Sequence, residues 1–454
     1  MINHEIAKSV SEFTSLPLSE VETLLARPKS PDHGDLSLPC FNFAKTWGIK
    51  PNEAAQKIKD SITLPDSFSE AEVVGPYLNF RVNRPLFAKT ILTEILKDGI
   101  NFKKSSPNKR KVLLEFSSVN IAKTLHVGHL RTTLIGAALD RIFRYKGFDV
   151  VSINHLGDWG TQFGFVWAGV QLFGMPENPT LDDIVDLYIK ASTLRKQQDE
   201  NKVPAEYADK PNANQMARDY FIKLEAGDKE AENFWKWSID VSMEYLDKVY
   251  KRLNVHFDNI TGESFYRHML TDVEQKIKDS GVLEKSEGAL GVELDKELGF
   301  VRIFTEDGRS LYITRDIAAA MYRHDTFKPE RNVYVVGAQQ SLHFKQLIGV
   351  MEKLKHPSAK EIVHVAYGWV PGMKTREGGA ISLTSFLDEM KERALTAYNS
   401  EVSKRPENLN EDTVSEQVAI GATYFYMLNH SNIKDLQFSW EKALTFQGDS
   451  GPYV

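Results

Sequence analysis

The chain has 454 residues, 42% hydrophobic, 26% charged and 11% aromatic, values near globular averages that exclude a collagen-like, fibrous or disordered chain and leave room for two or three domains. One cysteine, Cys40, excludes an internal disulfide and a cysteine-rich zinc site and suits a reducing, cytoplasmic setting. The formal net charge of -6 argues against a protein that only coats nucleic acid, yet permits a local basic track along phosphates.

The first residues, MINHEIAKSVSEF, carry no secretory or transit pattern. No apolar run reaches membrane-spanning length, so no membrane partner is expected. Residues 1–105 mix amphipathic helical patterns with short extended ones. Within them AEVVGPYLNFRV reads as a strand pair turned at Gly75 and Pro76, giving a small α+β domain. The basic stretch KKSSPNKRK, Lys103 to Lys111, reads as a solvated linker in preference to an RNA contact.

KVLLEFS predicts a strand, and a helix is expected from about Val127 to Tyr145, stopped by Gly147. FDVVSIN predicts a second strand, ending at HLGDWG before a helix near Thr161. The charged stretch of about 175–260 reads as an inserted helical subdomain, broken at Pro176, Pro179, Pro204 and Pro211. Strands return in NVYVVG and IVHVAYG. Strand and helix alternate, so the fold class is α/β, a doubly wound parallel sheet over 106–385 split by the insertion. From Ser385 the pattern is helical, and 386–454 reads as a helical stem.

The first chemical constellation is EFSSVNIAKTLHVGHLR, Glu115 to Arg131, at the strand-to-helix junction where doubly wound sheets bind ligands. His126 and His129 share one face of the first helical turn, where free N–H groups and the positive dipole end favour phosphate. Both imidazoles can donate to triphosphate oxygens. Gly128 lets a purine lie against the backbone, and Lys123 adds a cation, a combination that suits ATP. The metalloprotease zinc pattern needs i,i+4 histidines with a glutamate between, and this stretch has neither. Two ordinary histidines capping a helix remain the plain alternative.

EFSSVNIAKTLHVGHLRTTLIG resembles the signature of class I arginyl-tRNA synthetases, which carry a HIGH-type tetrad such as HVGH. NHLGDWGTQFG, LYITRDIAAAMYR and VYVVGAQQSLHFKQL are similar to further segments of that family, and ARPKSPDHGDLSLPCFNFAK to its N-terminal, tRNA-contacting domain. One departure in the first signature is Val119, where the family usually carries proline. The resemblance implies a Rossmann-like catalytic domain that activates L-arginine with ATP, magnesium accompanying the nucleotide, and transfers it to tRNA(Arg). It further implies that Ser118, Asn120, His129 and Gln340 contact the amino acid, and that Asn154 and Asp158 support the site. Carboxylates best hold a planar guanidinium, so Glu115 and Asp316, with Tyr312, are the candidate partners; a helix N-cap is the plain alternative for Asp316.

GWVPGMKTREGGAISL takes the place of the KMSKS loop in the resemblance. Lys374 and Arg376 would lie beside ATP there, without a clean second lysine, and Lys123 fills the missing role. His126, His129, Lys123 and Lys374 form the expected catalytic set. VAIGATYFYMLNHSN and FSWEKALTFQGDSGPYV look like helices leading into an anticodon-binding bundle that the 454 residues do not contain. Action as a monomer is expected. Two other readings stay open at this point: a related nucleotidyltransferase or a synthetase for another amino acid, and a truncated or paralogous RNA-binding fragment without full charging activity.

Overall fold

The computed structural model describes residues 2–286, 288–306, 311–370, 381–400, 410–445 and 448–453. The chain divides into two compact units, Met1–Lys104 and Ser105–Val454.

In the first unit the antiparallel strands β1 (Leu36–Pro39), β2 (Phe68–Val74) and β3 (Tyr77–Val82) pair in the order β1-β3-β2. The expected hairpin turns at Gly75, with φ +56°. Helices Ile2–Thr14 and Pro51–Ser61 bury Ile6, Val10 and Ile58 in one core with Leu38, Leu78 and Phe80 of the sheet.

The second unit opens with β4 (Lys111–Glu115), β5 (Asp149–Leu156) and β6 (Asn259–Gly262). A small antiparallel sheet follows, β7 (Glu284–Ser286), β8 (Ala289–Glu293) and β9 (Phe300–Thr305), then β10 (Arg331–Gly337) and β11 (Ile362–Tyr367). The main sheet runs β11-β10-β4-β5-β6, with every pairing parallel. The helix after β4 spans Val127–Tyr145, as its periodicity predicts, and Gly147 follows at φ +81°.

Three findings add to the sequence reading. The insertion forms, as expected, helices Leu181–Asp199, Ala213–Glu225 and Lys229–Arg252, and they belong to the second compact unit. Leu246, Val249 and Tyr250 of the last helix share one core with Val112 and Leu114 of β4. Its apolar stripe is diluted by the small polar Ser238 and Ser242, both buried, which is why the charged outer face dominates the sequence pattern. The β7 to β9 sheet, second, went unrecognised because its strands are three to six residues long. Third, helix Glu411–Leu428 gives way to irregular chain over 429–439, and only Trp440–Ala443 turns helical again among the described residues beyond it. The carbonyls of Ser431 and Lys434 accept hydrogen bonds from the Arg131 guanidinium instead of continuing a helix.

In the basic stretch, Arg110 makes a two-pronged contact with Glu330, and Lys111 pairs with Asp149 at 3.2 Å. Lys103 pairs with Glu94 at 2.7 Å.

Candidate active site

The C-terminal ends of β4, β5 and β10 open into a cavity of about 390 Å³. Six residues singled out in the sequence meet there: Glu115, Ser118, Asn120, Tyr312, Asp316 and Gln340. Tyr312 precedes the Ile313–Phe327 helix and Asp316 sits in its first turn, so Asp316 is not the N-cap. His155, Glu263, Tyr334 and His343 complete the polar lining.

Each carboxylate in this lining already has a basic partner. Glu115 pairs with Arg323 at 2.6 Å, Glu263 with Arg315 at 2.6 Å, and Asp316 with the His343 ring at 2.8 Å. Three carboxylates face two arginines, which leaves one negative charge to spare, the histidines aside. These contacts take one oxygen of each carboxylate, and the other Glu115 oxygen, Oε1, also accepts the Ser118 hydroxyl at 3.3 Å. A cationic guest is therefore met by oxygens from different residues rather than by both oxygens of one. Burial raises the Glu263 pKa, against the lowering pull of Arg315.

The loop after β4 is bent sharply, with Ser117, Ser118 and Ala122 all at positive φ, +67°, +46° and +58°. Such backbone persists only where its surroundings over-determine it. The Ser118 N–H donates to Asn154 Oδ1 at 3.1 Å, and Asn154 Nδ2 donates to the Tyr250 hydroxyl at 3.1 Å. That hydroxyl also bonds Ser117 Oγ at 2.8 Å, while Ala122 N–H donates to Ser242 Oγ at 3.3 Å. The inserted helix Lys229–Arg252 thus braces the loop. Burial pushes the Tyr250 phenol up to about 12, so it stays a neutral hydroxyl. Gly157 allows a close approach here: a Cβ on it would stand 2.0 Å from Asn120 Oδ1, and that side chain would have to shift. Val119, where the resemblance expects proline, is buried, and its carbonyl accepts the Gly157 N–H at 3.0 Å.

Asp158 accepts from the Ser264 N–H at 2.8 Å and from its hydroxyl at 2.5 Å, tying down the segment that carries Glu263. Trp159 is a packing aromatic against Phe221 and Trp235, with the Arg267 guanidinium 3.7 Å from its ring centre.

In HVGH the structure shows the capping arrangement. His129 Nδ1 accepts the His126 N–H, and His126 Nδ1 accepts the Gly128 N–H, each at 3.1 Å. The histidines cap the helix reciprocally. With Nδ1 an acceptor in both rings, Nε2 carries the proton of each neutral imidazole and is the group free to donate outward. Burial, then the charges of His126 and Lys123, lowers the His129 pKa to about 4, and burial also lowers that of His126. A Cβ on Gly128 would lie 2.8 Å from the His126 ring.

Lys123 is exposed on the loop leading into this helix. His126, Gly128, His129 and Lys123 are not part of the cavity's lining. Lys374 and Arg376 lie outside the described residues. Sequence reasoning missed Arg323, Glu263, His155, Tyr334 and His343. A signal existed for Arg323, an arginine seven positions after Asp316 on a helix whose inner face is otherwise apolar.

A parallel sheet with a histidine tetrad opening the helix after its central strand is the arrangement of class I aminoacyl-tRNA synthetases. Residues 91–440 match the family described as "tRNA synthetases class I (R), catalytic domain", and residues 1–82 match "Arginyl tRNA synthetase N terminal domain". The "Arginine--tRNA ligase" of Halothermothrix orenii is 39% identical over 453 residues, 98% of this chain and 77% of that protein. The Clostridium botulinum protein of the same name is 38% identical over 463 residues, 99% and 79% of the two chains. The chain belongs to the class I arginyl-tRNA synthetase family, and relatives named as ligases favour an enzyme over an RNA-binding fragment. Among solved structures, the arginyl-tRNA synthetases of Plasmodium falciparum and Thermus thermophilus share the fold, each with a TM-score of 0.75. They are 23% and 24% identical, covering 99% and 100% of this chain and 78% and 80% of theirs.

Proposed function

We propose that the cavity holds L-arginine and that the chain joins it, through ATP, to tRNA(Arg). The observation that carries this reading is the charge around a space of about 390 Å³: three lining carboxylates, answered from behind by two arginines that do not line it. Asp316 Oδ1 and Glu115 Oε1 receive the guanidinium together, with Tyr312 at the mouth. Ser118, Asn120 and Gln340 receive the ammonium and carboxylate, while His129, expected as a fourth contact, does not line the cavity and is read as serving the phosphates.

A substrate carboxylate oxygen attacks the α-phosphorus of ATP, the bond from that phosphorus to the β-phosphate oxygen breaks, and arginyl-adenylate and pyrophosphate result. The tRNA 3′-terminal hydroxyl then takes the arginyl group and AMP leaves. Positioning and stabilisation of charge growing on phosphate oxygens carry the first step. The Nε2–H groups of His126 and His129 donate there, with Lys123, Lys374 and Arg376 as cations and Gly128 under the purine.

Among the described residues no three His, Cys, Asp or Glu side chains are grouped to hold a metal ion. Magnesium is read as a companion of the triphosphate, where it would neutralise phosphate charge. Residues 1–105 are read as a tRNA-contacting domain, 106–385 as the catalytic domain and 386–454 as the stem toward an anticodon-binding bundle. Monomeric action in the cytoplasm belongs to the same reading. Amino-acid-dependent pyrophosphate exchange across the twenty amino acids, with tRNA(Arg) present, tests the assignment. Exchange with arginine alone is expected, and exchange driven by another amino acid would replace it. Charging of full-length tRNA(Arg) tests the transfer step.

A further inference from the structure

Arg323 lies on the Ile313–Phe327 helix, two turns beyond Asp316, and has no exposed surface. Asp316, Ala319 and Arg323 follow at spacings that share one helical face, and the first two line the cavity. The Arg323 guanidinium pairs with Glu115 Oε2 at 2.6 Å and sits over the Tyr334 ring, its Cζ 5.2 Å from the centre. Tyr334 is the register partner of Glu115 across β10 and β4. The sheet itself therefore spaces the carboxylate and the aromatic face that Arg323 uses. None of its three guanidinium nitrogens makes a hydrogen bond of good geometry among the described residues, so Glu115 answers its charge as an ion pair, through Nη1.

A buried ion pair is a weak device for stabilising a core, because the cost of desolvating both charges offsets their attraction and an apolar pair of similar volume does as well. The location of this pair gives it another use. Glu115 is 7% exposed, and its second oxygen, Oε1, receives the Ser118 hydroxyl at 3.3 Å on the cavity side. We propose that Arg323 is the positioning residue of the amino-acid subsite: it clamps Oε2, fixes the Glu115 rotamer, and leaves Oε1 as the one Glu115 oxygen offered to a cationic substrate. Arg323 also removes one negative charge from the cavity's sum, which matches the remaining surplus to a single guanidinium. It does not line the cavity, so it acts through Glu115. The inference rests on the arginine reading of the cavity and names what sets its specificity.

The test uses Arg323→Lys and Arg323→Met in the full chain, with Glu115→Gln in parallel. Pyrophosphate-exchange kinetics are measured for arginine and for ATP with tRNA present, and thermal unfolding is followed on the same samples. The KM for arginine should rise about threefold in Arg323→Lys, which keeps the charge but loses the planar fork, and about thirtyfold in Arg323→Met. The KM for ATP and kcat at saturating arginine should stay within about twofold, a split that general loosening of the fold would not give. If the Met variant does not fold, the Lys variant is judged alone by the same criterion. An unchanged KM for arginine in the folded variants, or both KM values and kcat worsening together, overturns the positioning role. If Glu115→Gln also leaves the KM for arginine unchanged, it is the arginine reading of the cavity that fails. If Glu115→Gln raises it while the Arg323 variants do not, only the role of Arg323 falls.

Discussion

His129 receives the backbone N–H of His126 on its own Nδ1 at 3.1 Å, and the two rings lie with their centres 4.0 Å apart at the head of the Val127–Tyr145 helix. On the proposed reading, capping and catalysis divide one imidazole between its two nitrogens, Nδ1 for the cap and Nε2 for the phosphates. His129→Asn separates them, since an asparagine oxygen can occupy the Nδ1 position while nothing replaces Nε2. Thermal stability is expected to fall by no more than about 1 kcal/mol, and kcat for pyrophosphate exchange by about a hundredfold. Equal stability with equal activity would remove His129 from the reaction.

The same ring makes stability depend on pH. The folded His129 titrates at about 4, the unfolded one near 6.5. As pH falls through about 6.5 the unfolded chain takes up a proton that the folded chain refuses until about 4. The contribution is therefore full above 6.5 and lost between 6.5 and 4, amounting to at most about 3 kcal/mol. Burial lowers His126, His155, His356 and His364 as well, so these act in the same direction. The thermal midpoint measured from pH 7 to 4.5 should drop, and His129→Asn should drop less steeply over that range.

Gly157→Ala places a methyl group where Asn120 Oδ1 now lies, 2.0 Å from the ideal Cβ position. The Asn120 side chain must shift from its present place in the cavity lining. The KM for arginine is expected to rise about tenfold or more, equivalent to about 1.4 kcal/mol of lost binding, with a smaller change for ATP.

How far the sequence carries the account depends on whether a residue acts through local pattern or through distant contact. The parallel sheet and the Val127–Tyr145 helix follow from runs of neighbouring residues, where periodicity speaks directly. Glu115, Tyr312 and Asp316 follow from residue chemistry and spacing, and Ser118, Asn120 and Gln340 from the family resemblance of the segments that carry them. The Tyr250 hydroxyl, by contrast, joins Ser117 and Asn154 from 133 and 96 positions away. Nothing in its own helix marks that role. Glu263 and His343 are of the same kind, made relevant only by the folded meeting of β6, β10 and the Ile313–Phe327 helix.

Arg131 shows the structural counterpart of Arg323. It is fully buried, and its guanidinium donates to the carbonyls of Gly368, Lys434 and Ser431 at 2.8, 2.6 and 2.9 Å. Arg131→Met strands three carbonyls, at an expected cost of about 3 kcal/mol. Thermal unfolding of that variant should show a midpoint several degrees lower, and an unchanged midpoint would mean that the carbonyls find water instead.

The most direct test of the cavity as the arginine site is arginine-dependent pyrophosphate exchange by Asp316→Asn, with tRNA(Arg) present. Asp316 offers the cavity one uncommitted oxygen while His343 holds the other at 2.8 Å; the amide keeps the shape and removes the charge. The account predicts a fall in kcat/KM for arginine of about a hundredfold, near 2.7 kcal/mol, with the KM for ATP within about threefold. An Asp316→Asn enzyme that exchanges at the wild-type rate at low arginine concentration would contradict it.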